Sequence, residues 1–404
     1  MVLKLALYMW QKIKNIYHYF QALSAALYFR FPSKKLIVIG ITGTDGKTTT
    51  VNMLHHVLSL NNKKVSSISS ISAKIADKSF DTGFHVTTPS PWQIQKYLRN
   101  ALNSRSQYFI LEATSHGLDQ NRLAFIDFEV AAITNISHEH FDYHKSMKNY
   151  LASKAKLFKN VKYSVLNADD ESYKDLKNKA SGEILNYSLQ KNVDFNLKEY
   201  PINLKIPGEF NLKNALAALA ISSALGISKS RTLKAITSYK GIVGRLEDLY
   251  FGQNFDVYVD FAHTPVSLKE SLQTLKEKTR GRLIAVFGSA GKRDESKRPL
   301  MGKVASSLAD ISILTAEDPR DEDVNKICNQ IAKGFKSNRK KENEDFFIIP
   351  DRKKAIKFAV DLARSNDTVS LFGKGHEKSM NIKGKEFPWN EINVAKWAIN
   401  QKLK

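Results

Sequence analysis

Residues 36–58, with the sequence LIVIGITGTDGKTTTVNMLHHVL, decide the fold. A short run rich in isoleucine and valine leads into a glycine-containing segment, which is followed by apolar residues at helical spacing: Val51, Leu54, Val57 and Leu58. A strand, a glycine-rich loop and a helix in this order are typical of a phosphate-binding loop, because glycines let backbone amides approach phosphate oxygens at the amino end of the helix. The stretch therefore predicts a nucleotide-binding α/β domain.

The polar residues of this loop predict its chemistry. Lys47 is spaced to reach the terminal phosphates of ATP, and the hydroxyl of Thr48 is spaced to bind Mg²⁺. The usual pattern has glycine at position 41, where this chain has Ile41 with glycines nearby. The predicted nucleotide-binding residues of the loop are Gly43, Thr44, Gly46, Lys47, Thr48 and Thr49.

Eight further apolar runs resemble the first, because each ends in polar or glycine residues and a helical pattern usually follows. They predict a mostly parallel sheet, with ligand-binding residues at the carboxyl ends of the strands. The runs lie at 108–113, 130–136, 163–168, 257–262, 283–288, 311–316, 346–350 and 368–373. A glycine-containing stretch at 240–248 interrupts the pattern. The sequence thus predicts an α/β protein in three parts: an N-terminal helical segment (1–35), a central ATP-binding domain (36–243) and a C-terminal Rossmann-like domain (244–404).

The N-terminal segment has a composition of its own. Six basic residues precede Asp45, the first acidic residue of the chain. Aromatic and aliphatic residues recur at intervals of three to four from Trp10 to Leu27, which predicts an amphipathic helix. Its longest uncharged stretch is too short and too polar to span a bilayer. Two interpretations stay open: residues 1–31 lie in a membrane interface, or the helix packs on the following domain.

Overall composition excludes several classes of protein. With 404 residues, 42% of them hydrophobic and 25% charged, the chain is neither disordered nor a multi-spanning membrane protein. The net charge of +22 would suit polyanions, but the densest basic run, 333–341, has acidic neighbours and predicts a solvated surface. We therefore expect no nucleic-acid partner. The single cysteine, Cys328, cannot form an intramolecular disulfide and is predicted to be packed rather than catalytic.

Candidate metal ligands follow two of the predicted strands. Glu112 ends one strand, and the segment ITNISHEHFDYH at 133–144 contains three histidines among acidic residues. Several imidazoles would favour Zn²⁺, whereas a carboxylate in the same domain as an ATP loop favours Mg²⁺, which is the preferred interpretation. From the residues alone, Lys154 is predicted to be an ordinary exposed residue of a helix.

The motifs taken together resemble the Mur ligase family, the ATP-dependent amide ligases of peptidoglycan synthesis, and within it the tripeptide synthetases, which add the third residue of the stem peptide. The resemblance runs from about residue 36 to the C-terminus. It rests on the ordered motifs TGTDGKTTT (42–50), TTPSP (87–91), EATSHGLDQNR (112–122), TNISHEHFDYH (134–144), YLASKAKLF (150–158), GEFNLKNALAA (208–218), GRLE (244–247), VDFAHTP (259–265), FGSAGKRDESKRPLMG (287–302), EDPR (317–320) and GKGHE (373–377).

The resemblance implies roles for individual residues. Lys47, Glu112, His140 and Lys154 would be catalytic, and Thr48, Glu112, His140 and a carbamylated Lys154 would bind Mg²⁺. Asn211 and Asn214 would approach the adenine of ATP, Arg245 its γ-phosphate and Asp260 its ribose. The muramoyl-peptide acceptor would contact Thr87, Thr88, Thr114, Ser115, Gln120 and Arg122. The incoming amino acid would contact Arg293, Glu317, Asp318, Arg320, Gly373 and Glu377.

The implied reaction is ligation of an amino acid to a muramoyl-L-Ala-D-Glu acceptor through an acyl phosphate. Two departures from the family pattern bear on the substrates. The domain that binds the uridine nucleotide normally precedes the phosphate loop, whereas this chain has only about 40 residues there. We therefore expect an acceptor that is nucleotide-free, lipid-linked or held more weakly by its nucleotide. The motif EDPR stands where enzymes for meso-diaminopimelate usually have DNPR, so diaminopimelate is the first expectation and L-lysine the alternative.

Other functions remain as alternatives to this one. The chain would then be another amide ligase of the same fold, such as a folylpolyglutamate or cyanophycin-type synthetase, or a basic nucleotide-binding module without catalysis. The order of TTPSP, EATSHGLDQ and GKGHE fits the tripeptide synthetases better, and the intact set Lys47, Glu112, His140 and Lys154 argues against a module without catalysis. We expect a monomer in the cytoplasm; peripheral contact with the inner face of the membrane through residues 1–31 follows if the first of the two interpretations of that segment holds.

Overall fold

A computed structural model describes residues 2–76, 78–80, 88–137 and 139–404. The chain forms two compact units. The first unit comprises Met1–Ser137, His144–Lys205 and Phe210–Lys240, and the second comprises His138–Tyr143, Ile206–Glu209 and Gly241–Lys404. Each unit is an α/β structure built on its own largely parallel sheet, as the alternation of apolar runs and helical patterns predicts.

The first unit contains a sheet of nine described strands in the order β4-β3-β2-β5-β1-β6-β7-β8-β9. The pairs from β2 to β9 are parallel, whereas β3 and β4 are antiparallel additions at one edge. The strands are β1 (Ile37–Thr42), β2 (Val65–Ile68), β3 (Ala73–Ile75), β4 (Lys78–Phe80), β5 (Tyr108–Glu112), β6 (Val130–Ile133), β7 (Tyr163–Asn167), β8 (Glu183–Ser188) and β9 (Phe195–Asn196).

The helices up to residue 238 are interspersed with these strands along the chain, except that α1 precedes all of them. They are α1 (Val2–Tyr28), α2 (Lys47–Leu60), α3 (Pro91–Asn103), α4 (Ser115–Asp119), α5 (Phe141–His144), α6 (Met147–Ala155), α7 (Tyr173–Lys177), α8 (Glu209–Ala224) and α9 (Lys229–Ser238). The helix α3 shows why a helix begins where it does: Ser90 and Gln93 form a reciprocal capping box, and Pro91 occupies the first turn. Its apolar residues Ile94 and Leu98 are fully buried in the core.

The phosphate loop lies at the centre of the first sheet. Strand β1 pairs with β5 on one side and with β6 on the other, so the loop that follows β1 opens between two neighbouring strands. Such a switch point is where open α/β sheets bind ligands. The same edge therefore receives the loop 43–46, the end of β5 at Glu112 and the segment after β6.

The predicted N-terminal helix is confirmed as α1. Its contacts with the first unit include the buried Ala22, Ala25 and Ala26, and the guanidinium of Arg99 donates to the carbonyl of Phe29. No helix in the described part of the chain combines the length and the apolar character that crossing a membrane requires.

The second unit contains a six-stranded sheet in the order β10-β11-β15-β12-β13-β14, in which only the β10–β11 pair is antiparallel, and a separate β16–β17 hairpin. The strands are β10 (Glu247–Asp248), β11 (Asp256–Asp260), β12 (Leu283–Phe287), β13 (Ile311–Leu314), β14 (Phe346–Ile348), β15 (Thr368–Phe372), β16 (Ser379–Ile382) and β17 (Lys385–Pro388). The helices are α10 (Pro265–Lys278), α11 (Lys297–Leu308), α12 (Val324–Ser337), α13 (Arg352–Leu362) and α14 (Glu391–Lys402).

A buried ion pair fixes the chain at the carboxyl ends of two strands of this sheet, β13 and β15. Arg352 and Glu391 are 1% and 0% exposed, and the guanidinium meets the carboxylate through Nε and Nη2. The same guanidinium donates to the carbonyls of Ala316 and Phe372, which end the segments of β13 and β15. Because every polar group of the pair is engaged, it holds these loops in one conformation.

Candidate functional site

The phosphate loop is shaped by its glycines and by side chains that bind its backbone. Gly46 has φ of 80°, and a methyl group there would collide with the amide of Asn214, so only glycine fits. The Asn135 side-chain oxygen accepts from the backbone N–H groups of Thr44 and Asp45 at 3.1 and 2.9 Å. Lys47 Nζ donates to the Thr44 carbonyl at 2.6 Å. These contacts hold the loop backbone in one conformation, with the Lys47 side chain bonded to it.

An oxygen cluster lies at the start of α2. Thr48 Oγ1 donates to both carboxylate oxygens of Glu112, at 3.1 and 3.0 Å, and lies 2.8 Å from Ser70 Oγ. The backbone N–H of Ser70 also donates to Glu112 Oε2, at 2.9 Å. Glu112 is 1% exposed, so its carboxylate is shielded from water and accepts hydrogen bonds from these donors instead. Hydroxyl and carboxylate oxygens are the ligands that Mg²⁺ prefers, and this donor set therefore fits the ion.

Lys154 corrects the expectation drawn from the residues alone. It is 1% exposed rather than on the surface of α6, because the helix places it in the same buried stripe as Tyr150 and Leu151. Its Nζ donates to the Gly43 carbonyl at 2.5 Å and lies 4.5 Å from the centre of the Tyr150 ring. Burial, reinforced by the positive charge of Lys47, holds the pKa of Lys154 well below its usual value. An amine whose burial favours the neutral form therefore lies directly beside the phosphate loop.

The histidine-rich segment 133–144 belongs partly to the first unit and partly to the second. His138 lies outside the described residues, whereas His140 belongs to the second unit with φ of 59° and Nδ1 3.8 Å from Glu139 Oε1. Glu139 also pairs with the buried Lys297 at 3.3 Å. His144 is buried beside Ser115, at 3.0 Å, and burial lowers its pKa to about 4, so it is a neutral structural residue. Within the described ranges, no three His, Cys, Asp or Glu side chains are grouped to hold a metal.

Several residues predicted for the acceptor meet beside Glu112. Thr88 Oγ1 donates to the Glu112 carbonyl at 3.2 Å and lies 2.9 Å from Thr114 Oγ1. Arg122 Nη1 donates to the Thr88 carbonyl at 2.5 Å, and Thr114 caps α4, which begins at Ser115. Gln120 ends this helix, and Thr87 lies outside the described residues. A group of hydroxyl-bearing residues, of which Thr88 and Ser115 are buried, therefore adjoins Glu112.

The residues predicted for ATP beyond the loop lie in both units. In the first, Asn214 accepts from Thr50 Oγ1 at 3.3 Å and donates to Asn211 at 3.4 Å, so both amides stand against the loop helix α2. In the second, the Arg245 guanidinium lies 4.5 Å from the Phe261 ring centre. Asp260 accepts from Phe261 N and Ser271 Oγ at 2.7 and 2.5 Å, and burial raises its pKa.

Residues predicted for the amino acid form a charged cluster in the second unit. Lys374, which is fully buried, donates to Asp318 Oδ1 at 2.9 Å and to Glu377 Oε2 at 2.5 Å. Glu317 lies against Gly373, whose φ is 101° and where a methyl group would be 2.7 Å from Glu317 Oε2. Burial raises the pKa of Glu317 to about 7, although Lys297 and Lys374 oppose that effect. The cluster therefore holds an acid that titrates near neutrality.

The two arginines of this predicted set differ in setting. Arg293 is exposed in the segment between β12 and α11. Arg320 has φ of 51°, its N–H donates to the Asn381 carbonyl at 3.0 Å, and its carbonyl accepts from Lys383 N at 2.7 Å. Asn381 N in turn donates to Asp318 Oδ1. The β16–β17 hairpin thus fixes the backbone of the EDPR segment.

Sequence reasoning missed three residues that complete these clusters. Ser70 contacts Glu112, Tyr150 contacts both Thr44 Oγ1 and Lys154, and Lys374 binds two carboxylates. Tyr150 and Lys374 belong to quoted motifs, YLASKAKLF and GKGHE, so their positions carried a signal. No local pattern marks Ser70, which reaches Glu112 only because β2 and β5 are neighbours in the sheet.

Known families and relatives match this chain over most of its length. Residues 41–222 match the Mur ligase middle domain, and residues 244–375 match the Mur ligase glutamate ligase domain. The UDP-N-acetylmuramoyl-L-alanyl-D-glutamate--2,6-diaminopimelate ligase of Caldanaerobacter subterraneus subsp. tengcongensis is 38% identical over 391 residues, 92% of this chain and 80% of that protein. The UDP-N-acetylmuramyl-tripeptide synthetase of Borrelia garinii subsp. bavariensis is 38% identical over 400 residues, 92% of this chain and 78% of that protein.

A solved structure agrees with these relatives. It is a UDP-N-acetylmuramoyl-L-alanyl-D-glutamate--2,6-diaminopimelate ligase, 30% identical, with a TM-score of 0.61 over 91% of this chain and 79% of that one. The resemblance seen in the motifs and the predicted α/β fold are thereby confirmed. The chain belongs to the Mur ligase family.

Proposed function

We propose that this chain is an ATP-dependent ligase that adds an amino acid, meso-diaminopimelate, to a muramoyl-L-alanyl-D-glutamate acceptor. The observation that carries the proposal is the arrangement around the phosphate loop. There, Lys47, the Thr48–Glu112 pair and the buried amine of Lys154 lie within one unit, and the hydroxyl groups of Thr88 and Thr114 adjoin Glu112. This combination can catalyse phosphoryl transfer to a carboxylate, a step that would serve an ATP-dependent ligase of the kind for which the relatives are named.

In the first step, a carboxylate oxygen of the acceptor attacks the γ-phosphorus of ATP. The bond from that phosphorus to the β,γ-bridging oxygen breaks, and ADP leaves with the electron pair. The product is an acyl phosphate. Lys47 and the backbone N–H groups of the loop stabilise the charge on the transferring group.

In the second step, the amine of the incoming amino acid attacks the acyl carbon. The carbon–oxygen bond to phosphate breaks, inorganic phosphate leaves with that electron pair, and the nitrogen loses a proton as the amide forms. Glu317, with its pKa of about 7, and its neighbours around Lys374 are proposed to orient this amino acid.

Thr48, Glu112, His140 and a carbamylated Lys154 are the proposed Mg²⁺ ligands. When bound, Mg²⁺ supplies neutralisation of the phosphate charge. A carbamate forms when the neutral Lys154 amine adds to CO₂ and releases a proton, which gives the site a carboxylate in place of a cation. The low pKa of Lys154 supports this step, because the attacking species is the free amine.

The division of labour follows the proposed domain limits. The central domain at 36–243 would bind ATP and the acceptor, through the loop, Asn211, Asn214 and the set from Thr87 to Arg122. The C-terminal domain at 244–404 would contribute Arg245 and Asp260 to ATP. It would bind the amino acid through Arg293, Glu317, Asp318, Arg320, Gly373 and Glu377.

One contact favours diaminopimelate over lysine. The side-chain ammonium of lysine would need a carboxylate, and Asp318 is one of the two candidates in EDPR. That carboxylate already binds Lys374 Nζ and Asn381 N, both at 2.9 Å. An arginine such as Arg320 suits instead the second carboxylate of diaminopimelate, which lysine lacks.

The partners we propose are small molecules, with ATP and Mg²⁺ as cofactors and no nucleic acid. The cytoplasm is the proposed location, because ATP is available there, and a monomer is the proposed state. The basic run at 333–341 supports the exclusion of nucleic acid, since Lys336, Lys340 and Lys341 pair with acidic neighbours.

Acceptor-dependent release of ADP tests the proposal. The purified chain is supplied with ATP, Mg²⁺ and UDP-N-acetylmuramoyl-L-Ala-D-Glu, with and without meso-diaminopimelate, and the product is identified by mass spectrometry. We expect a tripeptide product and repeated turnover of ATP to ADP only when both substrates are present, and loss of both signals in Lys47→Ala. Ligation of glutamate to a folate instead would favour the folylpolyglutamate alternative. ATP binding without turnover on either acceptor would favour a non-catalytic module.

A further inference from the structure

The described side chains of α1 that face solvent are mostly apolar or aromatic. Five large side chains among them are more than half exposed, and spacings of three, four and seven residues along Ile13, Ile16, Phe20 and Leu27, and of four from Ile13 to Tyr17, place them on one side of the helix. We call this set the aromatic face: Ile13 (54%), Ile16 (57%), Tyr17 (60%), Phe20 (59%) and Leu27 (58%). Tyr28 is also more than half exposed, and its ring lies 5.5 Å from that of Trp92. Contiguous exposed apolar surface of this kind marks a binding surface rather than ordinary solvent-exposed helix.

The opposite side of α1 already packs against its own unit. Ala22, Ala25 and Ala26 are buried there, and the Tyr19 ring lies 5.0 Å from the ring of Phe125. Asn15 Nδ2 donates to Asp119 Oδ2 at 3.4 Å. The position of the helix is therefore set by contacts that do not use the aromatic face.

The charge of the segment selects the class of occupant. All six charged residues before Asp45 are basic. Four of them have exposed side chains in the structure: Lys14, Arg30, Lys34 and Lys35. Aromatic and aliphatic side chains bordered by basic residues, without acidic ones, are typical of helices that lie in the interface of an anionic bilayer. A second copy of the chain would instead oppose cations with cations.

We propose that the aromatic face of α1 binds the surface of an anionic lipid bilayer. The helix lies along the surface, with Ile13, Tyr17 and Phe20 among the headgroups and upper acyl chains, and the basic residues against lipid phosphates. It does not cross the bilayer, in keeping with the short uncharged stretch of the segment. The inference rests on α1 alone, so it stands or falls separately from the proposed ligase activity.

Vesicle flotation with the full chain tests this inference. The vesicles contain phosphatidylglycerol and phosphatidylcholine in equal parts, and pure phosphatidylcholine vesicles serve for comparison. We expect the wild type to float with the anionic vesicles, to bind neutral ones at least tenfold more weakly, and to be released by salt, because screening weakens the attraction.

A triple variant, Ile16→Ser with Phe20→Ser and Leu27→Ser, removes most of the face. We expect its vesicle affinity to fall at least tenfold while its thermal unfolding midpoint stays unchanged, because these side chains are exposed. The matched control is Leu60→Ser with Tyr250→Ser and Leu403→Ser, which removes three apolar residues that are 56%, 76% and 50% exposed elsewhere. The control should bind vesicles like the wild type.

Three results would overturn the proposal. Failure of the wild type to float with anionic vesicles is one, and equal flotation of the wild type and the face variant is another. The third is a dimer by analytical ultracentrifugation that the face variant converts to a monomer, without any vesicle binding, because this result would assign the face to a second copy of the chain.

Discussion

Lys154 in the first unit and Lys374 in the second are buried to the same extent, but their surroundings favour opposite charge states. Lys154 is 1% exposed and Lys374 is 0% exposed. Lys154 contacts a carbonyl and an aromatic ring and has Lys47 as a charged neighbour, and its pKa is lowered, mainly by burial. Burial also opposes the charge of Lys374, but Glu377 and Asp318 outweigh burial, and the pKa of Lys374 is raised.

The difference shows that burial alone does not decide what a lysine does. A lysine without a carboxylate in contact is driven toward the neutral amine, which is a nucleophile and can take up CO₂. A lysine between two carboxylates stays an ammonium ion and holds those carboxylates in place. We therefore assign a chemical role to Lys154 and a positioning role to Lys374.

The largest expected effect is that of Lys154→Ala on ligation. If Lys154 functions as a carbamate, its loss removes a Mg²⁺ ligand, and we expect kcat to fall about a thousandfold or more. Added formate or acetate should restore part of the rate by occupying the vacated space. In ¹³C NMR with labelled bicarbonate, the wild type should show a carbamate signal that the variant lacks.

Lys47→Ala is the matched control for this experiment. It should be similarly inactive, but small carboxylates should not restore it, because the missing group is a cation. A Lys154→Ala enzyme with near-normal turnover would remove Lys154 from the site and with it the contrast between the two lysines.

The second-largest expected effect is on stability, and here the loss of Lys374 should matter more than the loss of Lys154. Lys374→Met leaves the buried Asp318 and the partly buried Glu377 without their shared cation, so the free energy of unfolding should fall by about 3 to 5 kcal/mol. Lys154→Met leaves no carboxylate unpaired and should cost about 1 kcal/mol or less, through the lost hydrogen bond to Gly43. Urea-induced unfolding of both variants at neutral pH measures the difference. Equal losses would show that the two lysines are stabilised alike.

Glu317 gives a third test, since it is a buried carboxyl whose Oε2 has no hydrogen-bond partner among the described residues. Its pKa is about 7 in the folded chain, above the ordinary 4.5, so the folded state binds the extra proton between these values. Stability should therefore fall as pH rises through this window, by at most about 3 kcal/mol. Glu317→Gln should abolish that fall.

Unfolding measured at pH 5 and pH 8 provides the comparison, with Glu342→Gln as the control because Glu342 is exposed. The control should keep the wild-type pH dependence. An unchanged dependence in Glu317→Gln would mean that Glu317 is ionised throughout, and that Lys297 and Lys374 compensate for its burial.

The sequence alone predicted the parts of the fold that rest on apolar runs. All nine predicted strands are present, with ends within a few residues of the predicted ones. Among the strands that it missed, β3, β4 and β9 are two or three residues long and lie toward the sheet edges, whereas the longer β2 and β8 have polar residues among their apolar ones. Runs that are so short, or that have polar residues in them, carry too little periodicity to be distinguished from loops.

The candidate site divides in the same way. The loop and Glu112 follow from motifs at a strand end, whereas the burial of Lys154 was missed even though a signal for it existed. Tyr150, Leu151, Lys154 and Ala155 recur at helical spacing, so the lysine lies within an apolar stripe. The pairing of Lys374 with Asp318 joins segments 56 residues apart, and such a contact depends on the tertiary fold.

The smallest effect concerns the choice of amino acid, and it depends on Lys374 holding Asp318. If Asp318 is engaged by that lysine, Arg320 is left to bind the distal carboxylate of diaminopimelate, and Arg320→Ala should reduce kcat/KM for diaminopimelate about thirtyfold. If Asp318 instead receives the ammonium of lysine, Arg320→Ala should change little and Asp318→Asn should abolish lysine ligation. Side-by-side rates with both amino acids, for the wild type and both variants, separate the two cases. A wild-type preference for lysine would contradict the assignment of diaminopimelate.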